Sequence, residues 1–277
     1  ILGVYKVSAN RIWSGVRMGG ISVRDSDGKI TRLRRFKDRP LHDVNVVAEG
    51  PDGSIFFHLL YKGLGRIHPD GKREIIDLGN DRRTTQVTAI QFLENRMFTA
   101  THAGLYVHDL TGRELQHYGI SDGLESDRIL NMDLTRDGNV WLTTISGGVS
   151  FIETSTGRIT NYTEADGLAM NSARGLYIDR DDSETVWIGT EGNGISRIKN
   201  GRISSVNSSA GLFEDQIHSI IEDDFGKLWM STNRGIFYVR KEQLNAYLNG
   251  DREHISSNVF RSSQGMLNEE CNGGNAN

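Results

Sequence analysis

One aromatic slot recurs six times along this 277-residue chain, at Trp13, Phe56, Phe98, Trp141, Trp187 and Trp229. The intervals are 43, 42, 43, 46 and 42 residues, and all four tryptophans of the protein fall in this slot. A fixed period of this length is the signature of a repeat architecture, so it must be read before any domain is drawn. A glycine follows each aromatic, at Gly20, Gly63, Gly104, Gly148, Gly194 and Gly235, and opens an alternating stretch such as "GLYVHD" or "GVSFIE". Before the later copies stand "SDGLESDRI", "ADGLAMNSA" and "SAGLFEDQI", and "SQGMLNEECN" repeats the theme near the end.

Each unit reads as four short strands. In the fourth copy they are "RILNMDLT", "NVWLTTI", "GVSFIET" and "RITNYT", with "TRDGN" and "TSTGR" as turns. Period-two alternation rich in β-branched residues marks strands, and Asp-Gly and Gly-containing clusters mark the hairpins between them. A four-stranded unit of about 40–45 residues is the size of a β-propeller blade. A leucine-rich solenoid has a shorter period, and helical repeats need a 3.6-residue pattern that is missing.

The expected fold is therefore all-β, a propeller of four-stranded antiparallel blades. The blades run over about 1–36, 37–79, 80–118, 119–162, 163–206 and 207–261. Residues 262–277 begin a further unit, so the whole protein is expected to carry seven blades, of which six are complete here. The chain begins at Ile1 and reads as a piece of something longer. Within blade six, "KEQLNAYLNGDREH" places Leu244, Tyr247 and Leu248 at helical spacing and predicts a short surface helix.

Composition narrows the function. Net charge is −4, from 32 basic and 36 acidic residues with interspersed signs, which argues against a nucleic-acid surface. No apolar run approaches the length of a membrane-spanning helix. P-loop and zincin motifs are absent from the sequence, and "GLGRIH" and "GNGISR" only half-match a dinucleotide fingerprint. No catalytic residue, metal site or cofactor is predicted. The Asp-Gly turns read as side-chain-capped hairpins rather than calcium loops, because the alternating acidic ligands are lacking. His102 and His108 are separated by a strand, and Cys271 has no basic neighbour to activate it, so it reads as structural.

"DGLESDRILNMDLTRDGNVWLTTISGGVSFIETSTGRITNY" resembles the two-component regulator propeller repeat, and "VWIGTEGNGISRI" matches it closely. The resemblance spans nearly the whole chain, strong in blades four to six and degenerate in the first three. It implies the extracytoplasmic, periplasmic sensor part of an inner-membrane protein whose output is a histidine kinase or diguanylate cyclase. It also implies a neighbouring propeller or immunoglobulin-like domain, and a homodimer, as partners. The reading favoured is a non-catalytic sensor propeller. A protein–protein interaction scaffold comes second, and a propeller enzyme such as a lyase third.

The repeated aromatics are expected to pack between blades rather than to stack ligands. A ligand is expected instead on the face carrying the corners between second and third strands, where polar residues converge on a concavity. That places Arg17, Tyr61, Lys62, His102, Glu191, Asn193, Asn233 and Arg234 around it. The blade-linking loops add Arg82, Arg83, Arg128, Asn171 and Arg174. The arginines point to an anionic ligand or an oligosaccharide.

Overall fold

A computed structural model describes residues 3–7, 11–16, 19–78, 81 and 83–271. The fold is an all-β propeller of six four-stranded antiparallel sheets, each built from four strands consecutive in sequence. The first sheet uses Gly3–Val7, Arg11–Val16, Gly20–Arg24 and Ile30–Leu33, and the second Val47–Glu49, Ile55–Leu59, Gly63–Ile67 and Arg73–Asp77. The third uses Val87–Leu93, Arg96–Thr101, Gly104–Asp109 and Glu114–Tyr118, and the fourth Ile129–Leu134, Val140–Thr144, Val149–Glu153 and Arg158–Tyr162. The fifth uses Ala173–Ile178, Thr185–Thr190, Ile195–Lys199 and Arg202–Val206. The sixth uses Ser219–Glu222, Lys227–Thr232, Gly235–Arg240 and Asn258–Phe260. The chain divides between Leu134 and Thr135 into two compact units.

Within each unit the repeated aromatic joins one sheet to the next. Trp13 clusters with Val44, Val47, Ile55 and Phe57 of the second sheet and its entry, and Phe56 with Val87, Ile90 and Met97 of the third. Trp141 clusters with Ala173, Leu176, Val186 and Ile188 of the fifth, and Trp187 with Ile217, Ile220, Leu228 and Phe237 at and in the sixth. Phe98 is wholly buried. A sheet with two apolar faces can bury both only against neighbours, which is why a large side chain recurs once per blade. Trp229 is half-buried, since no further sheet follows its own among the described residues. It stacks on Tyr238 and Phe260 at 4.8 and 5.4 Å, as Trp141 does on Phe151 and Tyr162.

Two glycines explain the rest of the repeated sequence. A Cβ on Gly189, which follows Trp187 by two residues, would lie 2.6 Å from Ile217 Cγ2, so only glycine lets the sixth blade's entry strand approach. Gly194 turns the corner at φ +82°, where an L side chain would also meet the Val206 carbonyl at 2.2 Å.

The entry to each later blade is one 3₁₀ turn: Ile120–Asp122, Glu164–Asp166, Ser208–Ala210 and Ser262–Gln264. Each is ended by a left-handed glycine, the Gly of the "DGL", "AGL" and "QGM" motifs. The fourth turn begins the next unit, whose Cys271 N–H donates to the Thr232 carbonyl as Ile217 N–H does to Thr190. Burial pushes the Cys271 thiol up, away from thiolate reactivity.

The Asp-Gly turns are capped as the sequence implies: Asp223 Oδ1 accepts from the Phe225 and Lys227 amides at 2.9 and 3.0 Å. The predicted helix forms over Lys241–Leu248, with Leu244 wholly buried against the sixth-blade cluster. No helix among the described residues is long and apolar enough to cross a membrane.

Candidate functional site

The corners between second and third strands lie beside the blade-linking loops, as their backbone bonds require. In the first unit, Gly104 N–H donates to Asp127 O at 2.8 Å. In the second unit, Gly148 N–H donates to Asn171 O, Glu191 N–H to Ser172 O and Gly194 N–H to Asp215 O, at 2.8–3.0 Å. Loop residues far apart in sequence are thereby brought to the same end of each unit.

In the second unit these residues form a polar chain across blades five and six. Arg174 Nε donates to Glu191 Oε1 at 2.8 Å, and Ser172 Oγ to Glu191 Oε2 at 3.2 Å. Glu191 forms an isolated β-bridge with Gln216, whose Oε1 accepts from Asn233 Nδ2 at 2.7 Å. Asn233 Oδ1 in turn lies 3.1 Å from His218 Nε2. Arg234 pairs with Glu214 at 3.3 Å and lies over the Phe213 ring.

Glu191, Asn233, Arg234 and Arg174 therefore come together, with Ser172, Glu214, Gln216 and His218 as members not singled out from the sequence. Asn193 is spent on tying its corner to the blade-linking loop: its Nδ2 donates to Ala169 O at 2.9 Å. Asn171 closes its loop by exchanging bonds with Glu164, at 2.7 and 2.8 Å.

In the first unit, Arg83 Nε donates to the His102 carbonyl at 3.0 Å, and its guanidinium pairs with Asp127 at 2.5 Å. Tyr61 stands at φ +61° and is 53% exposed at the tip of the Leu59–Gly63 corner, with Lys62 beside it. Arg17 and Arg82 lie outside the described residues.

The histidines at these corners are held neutral. Burial lowers the His102 pKa, with Arg128 and Arg83 adding to the effect, and burial lowers that of His218 against the bond to Asn233. His58, which bonds Thr85 O at 2.9 Å, and His108 are lowered by burial as well. A depressed histidine pKa means that the unfolded chain binds more protons. The stability these groups contribute is thus complete above the unfolded value of about 6.5 and is lost as pH falls below it. The urea midpoint is expected to fall between pH 7.5 and pH 5.5, above the range where carboxylates titrate. A flat midpoint across that window would contradict neutral burial.

A second cluster, on the side of the Asp-Gly turns, was not legible from sequence. Asp179, Asp181 and Glu222 present carboxylate oxygens within 4.8 Å of one another, the one such grouping of potential metal ligands among the described residues. Lys241 Nζ sits among them, at 2.8, 2.7 and 2.9 Å. Its ammonium and the Arg180 guanidinium, whose Nε lies 3.3 Å from Glu222 Oε2, supply the positive charge, so the triad is a structural ion cluster. Tyr177 Oη also donates to Glu222 at 2.5 Å, and Trp187 Nε1 to Asp179 at 3.2 Å.

Residues 211–234 match the Two component regulator propeller family model. No curated protein matches the chain. Among solved structures, it is similar to two extracellular domains of B. thetaiotaomicron designated as hybrid two component systems. The first is 20% identical with a TM-score of 0.80, covering 98% of this chain and 35% of that one. The second is 16% identical with a TM-score of 0.71, covering 94% and 36%. This chain thus spans about a third of the length of either (35% and 36%). A streptogramin B lyase is similar at 19% identity and a TM-score of 0.57, covering 83% of this chain and 89% of that one. The chain is thus a β-propeller that carries the two component regulator propeller repeat and shares its fold with extracellular domains of hybrid two component systems.

Proposed function

We propose that this chain is the ligand-recognition propeller of a bacterial two-component-type signalling protein, acting outside the cytoplasm and without catalysis of its own. The repeat at residues 211–234 and the likeness to extracellular domains support this reading. The observation that carries the site is the polar chain from Arg174 through Glu191 and Gln216 to Asn233 and His218. It joins the corners of two successive blades, where side chains are not needed to hold the strands.

Its chemistry favours a neutral polyhydroxylated ligand, such as an oligosaccharide, over an anion. Arg174 and Arg234 each face a carboxylate, Glu191 and Glu214. A surface of paired charges donates and accepts in alternation, as a run of hydroxyl groups does. Signalling then requires that ligand bind two arrangements of the receptor with different affinity. Blades locked by packing move little, so the bistable element is the contact with a neighbouring propeller, an immunoglobulin-like domain or a second copy.

The test is a thermal-shift screen of neutral oligosaccharides and organic acids, followed by titration of the Arg234→Ala and Asn233→Ala variants. Affinity is expected to fall about tenfold or more where a charge-assisted contact of ~1.4 kcal/mol is lost. Unliganded stability should stay within about 0.5 kcal/mol, as for ordinary surface substitutions. Unchanged affinity in both variants would remove this face from consideration. Bond cleavage in a bound ligand would favour the enzyme reading, for which the likeness to the lyase fold is the one specific support.

A further inference from the structure

The outer hairpin of the fifth blade joins Ile195–Lys199 to Arg202–Val206 through Asn200 and Gly201, at φ 49° and 73°. Asn-Gly in this left-handed pair is the two-residue turn that suits a twisted hairpin. The register sets Arg197 opposite Ser204 and Lys199 opposite Arg202. Residues two apart on a strand share a face, and so do residues directly opposite across a pair. Arg197, Lys199, Arg202 and Ser204 therefore stand on one face, lining a groove of about 560 Å³. Lys199 and Arg202 are like charges in directly opposed positions, which is unfavourable unless a counter-charge lies near. Lys199 has Asp182 at 2.9 Å, and Arg202 has no ion-pair partner among the described residues.

Arg197 makes the imbalance larger. It is only 7% exposed, an unusual place for a guanidinium. The helix Lys241–Leu248 and its end hold it: Nη1 donates to Asn245 Oδ1 at 2.7 Å and Nη2 to Asn249 Oδ1 at 2.9 Å. Its Nε is buried with no partner. No carboxylate pairs with it among the described residues, and burial alone pulls its pKa down. Amide oxygens supply dipoles but no counter-charge, so a buried cation here stays costly until an anion approaches.

We propose that this groove binds a small molecule carrying a phosphate or sulfate group. Lys199, Arg202 and the Ser204 hydroxyl donate directly to the oxyanion, and the guanidinium of Arg197 supplies a fixed positive charge beside them. Charge-assisted donors suit a group with several acceptor oxygens. The volume exceeds what a free oxyanion fills and lies in the range of small-molecule sites, so an organic substituent fits alongside. The site stands on strands of one blade, away from the corner loops of the sensor reading, and its failure would leave that reading intact.

The full chain is titrated calorimetrically, at constant ionic strength, with inorganic phosphate, inorganic sulfate, phenyl phosphate and phenyl sulfate. Saturable binding is expected, tighter for at least one ester than for its free anion. The exposed variant Arg202→Gln should weaken it several-fold, and Lys199→Gln with Arg202→Gln tenfold or more, with urea midpoints unchanged or raised. Free anions binding as tightly as the esters would overturn the small-molecule part of the proposal. Absence of saturable heat for all four probes, or equal affinity in the wild type and the folded double variant, overturns the proposal.

Discussion

Replacing Lys241 by methionine is expected to cost about 3–5 kcal/mol of folding stability, the range for removing one partner of a buried ionic cluster. The side chains of Asp179 and Glu222 are 4% and 2% exposed, so water cannot take over the ammonium's role. Burial opposes the charge on Lys241, but its hydrogen bonds to Asp179, Asp181 and Glu222 outweigh it and hold the pKa above the ordinary lysine range. A raised lysine pKa contributes stability that is complete below the unfolded value of about 10.4 and is lost as pH rises through the folded one. The wild type should therefore lose stability at strongly alkaline pH through this group, and the Lys241→Met variant should lack that component. Combining Lys241→Met with Asp179→Asn removes the buried carboxylate that loses its ammonium, whereas Glu222 keeps Arg180, so the pair should cost less than Lys241→Met alone. Urea unfolding of the three variants across pH decides it. A loss below about 1 kcal/mol for Lys241→Met would place the cluster among surface ion pairs.

What the sequence shows and what it hides divide along range. The strands, the Asp-Gly turns, the 3₁₀ entries with their left-handed glycines, and the helix over Lys241–Leu248 are all set by residues within a few positions of each other. Period-two alternation and turn chemistry are local signals, and they were readable. The repeated aromatic slot was also readable as packing, because a strand residue repeated once per blade has a neighbouring blade to bury it.

The Lys241 cluster joins residues 60 and 62 positions apart, and nothing in "VRKEQL" marks its lysine as buried. "GISRIKNGR" reads as an outward alternation in which Arg197 would face water. Its burial follows from what the blade-six insertion covers, which helical spacing alone does not say. At the corners, the sequence places Arg83, Arg174, Arg234 and Glu191 but neither the pairing of Arg174 with Glu191 nor the carboxylates Asp127 and Glu214, since each partner lies on another loop or strand. The arginine count alone points to an anion or an oligosaccharide alike, because it carries no information about those partners. Trp229 occupies the slot of Trp187 but is only half-buried, because no further sheet follows its own among the described residues.

That contrast sets the last expected result. Trp187→Ala should destabilise the protein by about 3–5 kcal/mol, as large core truncations do. Trp187 is wholly buried against Ile217, Ile220, Leu228, Met230 and Phe237, so its removal opens a cavity between two sheets that the surrounding blades are too rigid to close. Its indole N–H is also a donor to Asp179. Trp187→Phe keeps an aromatic ring and most of the apolar contact, but deletes that donor and part of the volume. Asp179 retains Lys241, so this variant should cost less than the alanine, about 1–2 kcal/mol. Trp229→Ala should likewise cost less than Trp187→Ala, because Trp229 is half-buried and packs within one sheet. Urea denaturation of the three variants gives the order. If Trp229→Ala is as damaging as Trp187→Ala, burial between blades is not what this repeated aromatic supplies, and the account of how one blade holds the next fails with it.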